Sequence, residues 1–290
     1  MPDLAALDCL LQRARAVRVS DVVHPAEPAI LTDLMEPADL SRLRRAMAVS
    51  SLPGGICMCR GDIRFDFLDS HGQQIATVGF HHGVTLRWTG WEGNTVLVDG
   101  QALLYWLNDH QAPRALEQFE EDKRQRSRAL AVQASWTAAM PAALSGLALR
   151  ILALSSTGES PSAELLSEAH TLLGHGLREP TPRVLALLAW HGSGTGRYSG
   201  YPVHEAFPGL LLSDVPITVI ITALQDSQAD ERHDTGAVRH LLGWKSRNEQ
   251  ARDIDTIPAS LRARLLHQAR TSDDTTIRRR AEQLLTPTRE

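Results

Sequence analysis

The residue types best suited to metal or nucleophilic chemistry lie in one short stretch: Cys57, Cys59, His81 and His82. Two thiolates and an imidazole with one open position would suit zinc. On an extended strand Cys57 and Cys59 project to the same face, about 7 Å apart. Two sulfurs on one zinc sit roughly 3.8 Å apart, so the Cys-x-Cys spacing fits a shared metal poorly. His81 and His82 point to opposite faces of a strand. With Phe80 inward, His82 becomes the inward residue and the third ligand. The plainer reading is close-packed strand cysteines beside a structural histidine. No cofactor is therefore expected, and zinc on Cys57, Cys59 and His82 is the alternative.

A second set follows the histidine at 191. The segment His191-Gly192-Ser193-Gly194-Thr195-Gly196-Arg197-Tyr198-Ser199-Gly200-Tyr201-Pro202 is dense in glycine. Such a loop permits backbone shapes and close approaches that other residues cannot take. Its amides, ahead of a helix, could hold an anion with Arg197 as the charged partner. His191, His204 and Glu205 are the acid and base candidates. Gly194, Gly196, Arg197, Tyr198 and Tyr201 are the candidate ligand contacts. Glycine with tyrosine and arginine also suits adaptable recognition of another protein. A third group, Trp88, Trp91, Tyr105 and Trp106, reads as a core seam between sheet and helix, or as an aromatic binding surface if Trp91 is exposed.

Other chemistries lack their residues. The chain has 28 arginines and two lysines, Lys123 and Lys245, and neither lysine sits in a phosphate-cradling GxxxxGK[ST] loop. The glycine loop follows no strand and lacks dinucleotide-binding spacing, and no GxSxG elbow occurs. A net charge of −4 disfavours nonspecific nucleic-acid binding. Arginine codons are rich in GC, so the arginine bias points to a GC-rich bacterial genome. Three cysteines without framework spacing suit a reducing compartment. No signal-peptide pattern and no long apolar run is seen, so a cytoplasmic protein off the membrane is expected.

These residues must be positioned by elements of two kinds. Leu4, Leu7, Leu10, Leu11, Ala14 and Val17 have helical spacing, and Pro37 opens a helix near 37–48. The period then falls to two. Ile63-Arg64-Phe65-Asp66-Phe67 alternates like a half-buried strand, and Asp69-Ser70-His71-Gly72 is a hairpin loop. Strands follow around Ala76–Phe80, Val84–Trp88 and Val96–Val98, and another is expected at Ile56–Arg60. Asp99-Gly100 opens a helix with Leu103, Leu104, Trp106 and Leu107 on its apolar side.

From Pro113 the pattern is helical. The run 117–128 carries both charges and reads as a solvated helix face continuing to about Ala139. Further helices are expected at 142–154, 162–174, 181–191, 203–212, 216–226, 235–243, 257–269 and 275–285. The last two, joined by an Asp-containing turn, resemble a HEAT-type repeat over about 30 residues. No second copy recurs at the roughly 40–47-residue period of such repeats, so a compact irregular helical domain is the equal alternative.

The expected fold is α+β: residues 1–112 with an antiparallel sheet at about 54–98, then an all-α domain at 113–290. The functional expectation is a non-enzymatic interaction or regulatory protein of the bacterial cytoplasm, with another protein as partner. The alternatives are a hydrolase or transferase for an anionic substrate, using the loop 192–200 with His204 and Glu205, and a metal-binding protein.

Overall fold

The structure, a computed structural model, describes residues 4–22, 29–51, 61–195, 202–245 and 247–286. It is α+β, with an antiparallel sheet in its first part and helices in the rest. Two compact units divide at 127/128, within the long helix α4 (Arg114–Ala138).

In the first unit seven strands form one sheet. They are β1 (Ala16–Asp21), β2 (Ala29–Leu34), β3 (Val49–Ser51), β4 (Ile63–Leu68), β5 (Gln74–His81), β6 (Thr85–Trp88) and β7 (Asn94–Leu97). Their order is β2-β1-β4-β5-β6-β7-β3, with every pair antiparallel. The alternating residues set the faces. Val17, Phe65, Val78, Phe80 and Leu86 are fully buried on the core face. On the other face Arg18, Asp66 and Thr77 stand side by side in register. Thr77 donates to Asp66 at 2.6 Å, and Arg64 pairs with the same carboxylate at 2.9 Å.

Helices α1 (Leu4–Leu11), α2 (Pro37–Ala46) and α3 (Gly100–Asp109) contribute Leu7, Leu43 and Leu103 to this core. The Asp99 side chain caps α3 by accepting from the Ala102 amide at 3.1 Å. Trp106 belongs to the core and Trp88 packs against it, as a sheet–helix seam requires. Trp91 is 6% exposed, so its ring is core material and not an open binding surface.

The first helix is shorter than its apolar spacing suggests. It ends at Leu11, and Ala14 and Val17 are buried by a turn and by β1. Strands β1, β2 and β3 lie ahead of the stretch in which the sequence pattern predicts a sheet. The expected strand at Ile56–Arg60 lies outside the described residues.

The helical unit continues from α4 through α5 (Ala148–Thr157), α6 (Ala163–Gly176), α7 (Pro180–Gly192), α8 (Phe207–Ser213), α9 (Ile217–Leu224), α10 (Glu231–Arg239), α11 (Arg247–Thr256), α12 (Ala259–Arg270) and α13 (Thr275–Leu285). Short 3-10 turns at Ala142–Leu147 and Val203–Ala206 lead into α5 and α8. A π-helical turn, His240–Trp244, follows α10. Helix α11 was not expected, because RNEQARDIDT has few apolar residues to mark a face. One core, with Trp136, Trp190, Phe207, Leu265 and Ile277 at its centre, unites these helices. Among the described residues no single helix is long and apolar enough to cross a membrane.

Candidate functional site: a polar cleft in the helical unit

The site is built on the crossing of α7 and α10. Pro180 starts α7 at a position where its missing amide hydrogen costs nothing. Asp230 caps α10, with His233 completing a capping box. The two helices meet at glycines. A Cβ on Gly236 would overlap the Leu188 carbonyl, and one on Gly192 would stand 2.6 Å from the Arg232 carbonyl oxygen. Backbone therefore lies against backbone, and Arg239, about one turn after Gly236, reaches the carbonyl of His191 at the C-terminal end of α7.

Arg239 is held from two sides. Its Nη1 donates to the His191 carbonyl at 3.1 Å, and its Nη2 donates to Glu205 Oε2 at 2.8 Å. The side chains of Arg239 and Glu205 are only 12% and 3% exposed. A Cβ on Gly194 would overlap the guanidinium, so the glycine at this point serves the ion pair.

A cleft of about 700 Å³ opens beside this pair. Its lining comes from Gly192 at the end of α7 with Gly194 and Thr195 beyond it, from Thr235, Val238 and Arg239 on α10, from Gln268 on α12, and from Thr271 to Thr276, the turn after α12 and the start of α13. The lining is polar and partly self-bonded. Gln268 donates to Thr235 Oγ1 at 3.0 Å, and Thr271 donates its hydroxyl hydrogen to the Gln268 carbonyl at 2.7 Å. Asp274 caps α13 by accepting from the Thr276 amide at 2.7 Å. Asp273 and Thr275 are exposed at the rim.

No known protein family, curated protein or solved structure matches this chain.

Three residues expected to do acid–base work are buried: His191, His204 and Glu205 are 2%, 5% and 2% exposed. His204 and Glu205, adjacent in sequence, serve different partners. Glu205 goes to Arg239. His204 Nδ1 lies 2.7 Å from Ser155 Oγ, and the His204 amide donates to the same oxygen at 3.0 Å. The His204 ring also meets Trp136 edge-on, with centroids 4.7 Å apart. Burial pushes its imidazole below the ordinary range, and the Glu205 charge opposes the shift. This serine–histidine pair clamps the end of α5 to the turn before α8.

Gly194 is brought to the cleft, while Gly196, Arg197, Tyr198 and Tyr201 lie outside the described residues. The same holds for Cys57 and Cys59. Among the described residues no group of three or more His, Cys, Asp or Glu side chains could hold a metal.

The orientation expected for His82 is reversed. His81 is 1% exposed and His82 is exposed. The turn starts at His82, which has φ +54° and whose amide donates to Asp62 Oδ2 at 2.9 Å. One left-handed residue breaks the strand alternation before it reaches the second histidine. His81 instead fits where Gly61 and Gly79 lack a Cβ, since its Nε2 would be 3.0 Å from either one.

Thr235, Arg239, Gln268 and Asp273 escaped the sequence reading, because they meet only when α10 and α12 pack together. One local signal was present: a lone glycine inside a helical pattern, Gly236, marks a close backbone approach.

Proposed function

We propose that this chain is a non-enzymatic binding protein, and that the polar cleft of its helical unit receives a segment of another protein. The observation that carries the reading is a cleft of about 700 Å³, whose described lining holds hydroxyls, an amide and the carboxylates of Asp273 and Asp274, with its arginine, Arg239, already paired. That volume is in the range of ligand-binding clefts. Arg239 with its charge balanced by Glu205 offers hydrogen bonding without a strong demand for an anion. A general acid or base must come within about 3 Å of its substrate. His204 and Glu205 are committed to Ser155 and Arg239, which favours binding over catalysis. The arginine bias and cysteine usage support a bacterial cytoplasmic setting.

The test is affinity capture from the native host with the intact chain, alongside Thr195→Trp and Thr275→Arg. Both residues are exposed at the cleft. One stoichiometric partner is expected with the unaltered chain, and both variants should lose it while keeping their melting temperature. A partner retained equally by both stably folded variants sinks the cleft as its docking site.

A further inference from the structure

Two histidines lie behind the cleft wall and take no part in the binding reading. His191 ends α7, and His240 opens the π-helical turn after α10. They are 2% and 0% exposed, with ring centroids 6.3 Å apart at 79°. Among the described residues none of their four ring nitrogens makes a hydrogen bond of good geometry, and only the Glu205 backbone lies close enough to the His191 ring to favour its charged form. A buried histidine ordinarily satisfies at least one nitrogen, because an orphaned polar atom is costly. The space is nevertheless shaped for the rings: a Cβ on Gly209 of α8 would stand 2.9 Å from His191 Cε1.

We propose that the His191–His240 pair is an acid-operated latch, which keeps the α7–α10 wall of the cleft closed only while both rings are neutral. The surroundings favour neutral rings, and against this stands only the Glu205 backbone beside His191. Beside His191 stands the Arg239 guanidinium, whose Nη1 already occupies the His191 carbonyl. The Glu205 carboxylate, the nearby anion, is taken up by Arg239. On the other side Lys245 repels a charged His240, and Asp253 of α11 is paired with that lysine. Arg280 of α13 donates to the Leu242 carbonyl within the turn, and Gln250 of α11 donates to the same carbonyl and to that of Lys245. Helix α8 contributes no ionisable side chain. A proton on either ring would thus be buried with no carboxylate left to pair it, and the junction opens to hydrate it.

Burial pushes the His240 imidazole down to about 3, with Lys245 adding to the effect. Burial, then Arg239 and His240, holds His191 well below the ordinary range, against an opposing contribution from the Glu205 backbone. Both folded-state values are depressed, so the open state binds protons more readily. The closed state keeps its full advantage above about pH 6.5, the ordinary imidazole value. It loses that advantage as pH falls toward the folded values. Each histidine freed by opening raises the open fraction about 10-fold per pH unit below that point, and the pair about 100-fold.

The latch belongs to the helical unit itself and holds whether or not the cleft takes a partner, so its test reads the free chain. Hydrogen–deuterium exchange with mass spectrometry from pH 7.5 to 4.5, corrected for intrinsic exchange, should show protection collapsing in 185–192 and 231–244. The collapse should steepen below about pH 6. His240→Leu should halve the slope on a logarithmic scale. If that variant fails to fold, the histidine Cε1–H signals of the unaltered chain decide. The two rings should show no titration in the native spectrum down to pH 5. Native-state titration of both rings near pH 6.5, pH-independent protection, or an unchanged slope in a folded His240→Leu would each overturn the latch.

Discussion

At the scale of single residues, the pair that decides most is Glu205 with Arg239. A 2.8 Å ion pair this deeply buried does little for net stability, because desolvation of both charges offsets their attraction. Removing one partner is a different matter. Glu205→Gln should leave the guanidinium short of a countercharge and cost about 3–5 kcal/mol of unfolding free energy. Glu205→Leu with Arg239→Met should recover much of that loss, though not all, since Arg239 also satisfies the His191 carbonyl. Denaturant melts of Glu205→Leu, of Arg239→Met and of the double variant would measure the coupling. A coupling near zero would show that the two side chains do not depend on each other.

Glycine makes the same point with opposite signs. Gly236→Ala places a methyl on the Leu188 carbonyl, where backbone on both sides resists adjustment. The intrinsic helix gain of about 1 kcal/mol from Gly to Ala is outweighed by overpacking at the upper end of its roughly 1–3 kcal/mol range, and a net loss of about 2 kcal/mol is expected. Gly174, inside α6, has nothing within 4 Å of its would-be Cβ. There the helix gain stands alone, and Gly174→Ala should stabilise by up to about 1 kcal/mol. Thermal melts of the two variants should move in opposite directions, and movement in the same direction would contradict the close crossing of α7 and α10.

At the scale of elements, legibility in the sequence followed the strength of local periodicity. Strand β4 showed itself by strict alternation from Ile63 to Phe67, and its hairpin by Asp69 and Gly72. Asp69 does hold that turn, accepting from the amides of His71 at 2.8 Å and Gln73 at 3.0 Å. Helices α6, α7 and α13 came out close to their observed bounds because capping residues and an apolar stripe agree. Strand β1 was hidden because Ala14 and Val17 extend the i, i+3 spacing of Leu7 and Leu11 by coincidence. Its partners are distant in sequence, with Val17 facing Leu34 and Phe67, so only the sheet reveals it. The cleft was still less legible. Its described lining comes from three separate segments, 192–195, 235–239 and 268–276, gathered by the glycine crossing of α7 and α10 and by the packing of α12 on α10. Within that lining the sequence pointed to Gly192, Gly194 and Thr195 of the glycine loop, and to Arg239 not at all. The mis-oriented His82 has the smallest cause, a single residue with positive φ.

At the scale of the whole molecule, the two cores are separate sets of residues and helix α4 contributes to both. Leu116 and Phe119 pack on the core of the sheet unit, and Trp136 belongs to the core of the helical unit. Between them residues 122–131 are exposed on every side of the helix, including Leu130 at 67%. Local pairs such as Arg124 with Glu121 at 2.8 Å contribute a few tenths of a kcal/mol each at best. A helical stretch with no buried face depends on intrinsic helicity, and isolated helices of this length are marginal in water. Local opening should therefore be easier here than in either core, and cleavage should track that open population. The stretch also carries Lys123, Arg124, Arg126 and Arg128. Limited trypsin digestion of the native chain should cut first within 123–128, giving two fragments that match the two compact units. The larger fragment should keep the blue-shifted emission of buried Trp136 and Trp190 and a cooperative melt. A first cut elsewhere, or immediate loss of structure in that fragment, would mean that α4 binds the two cores into one cooperative body.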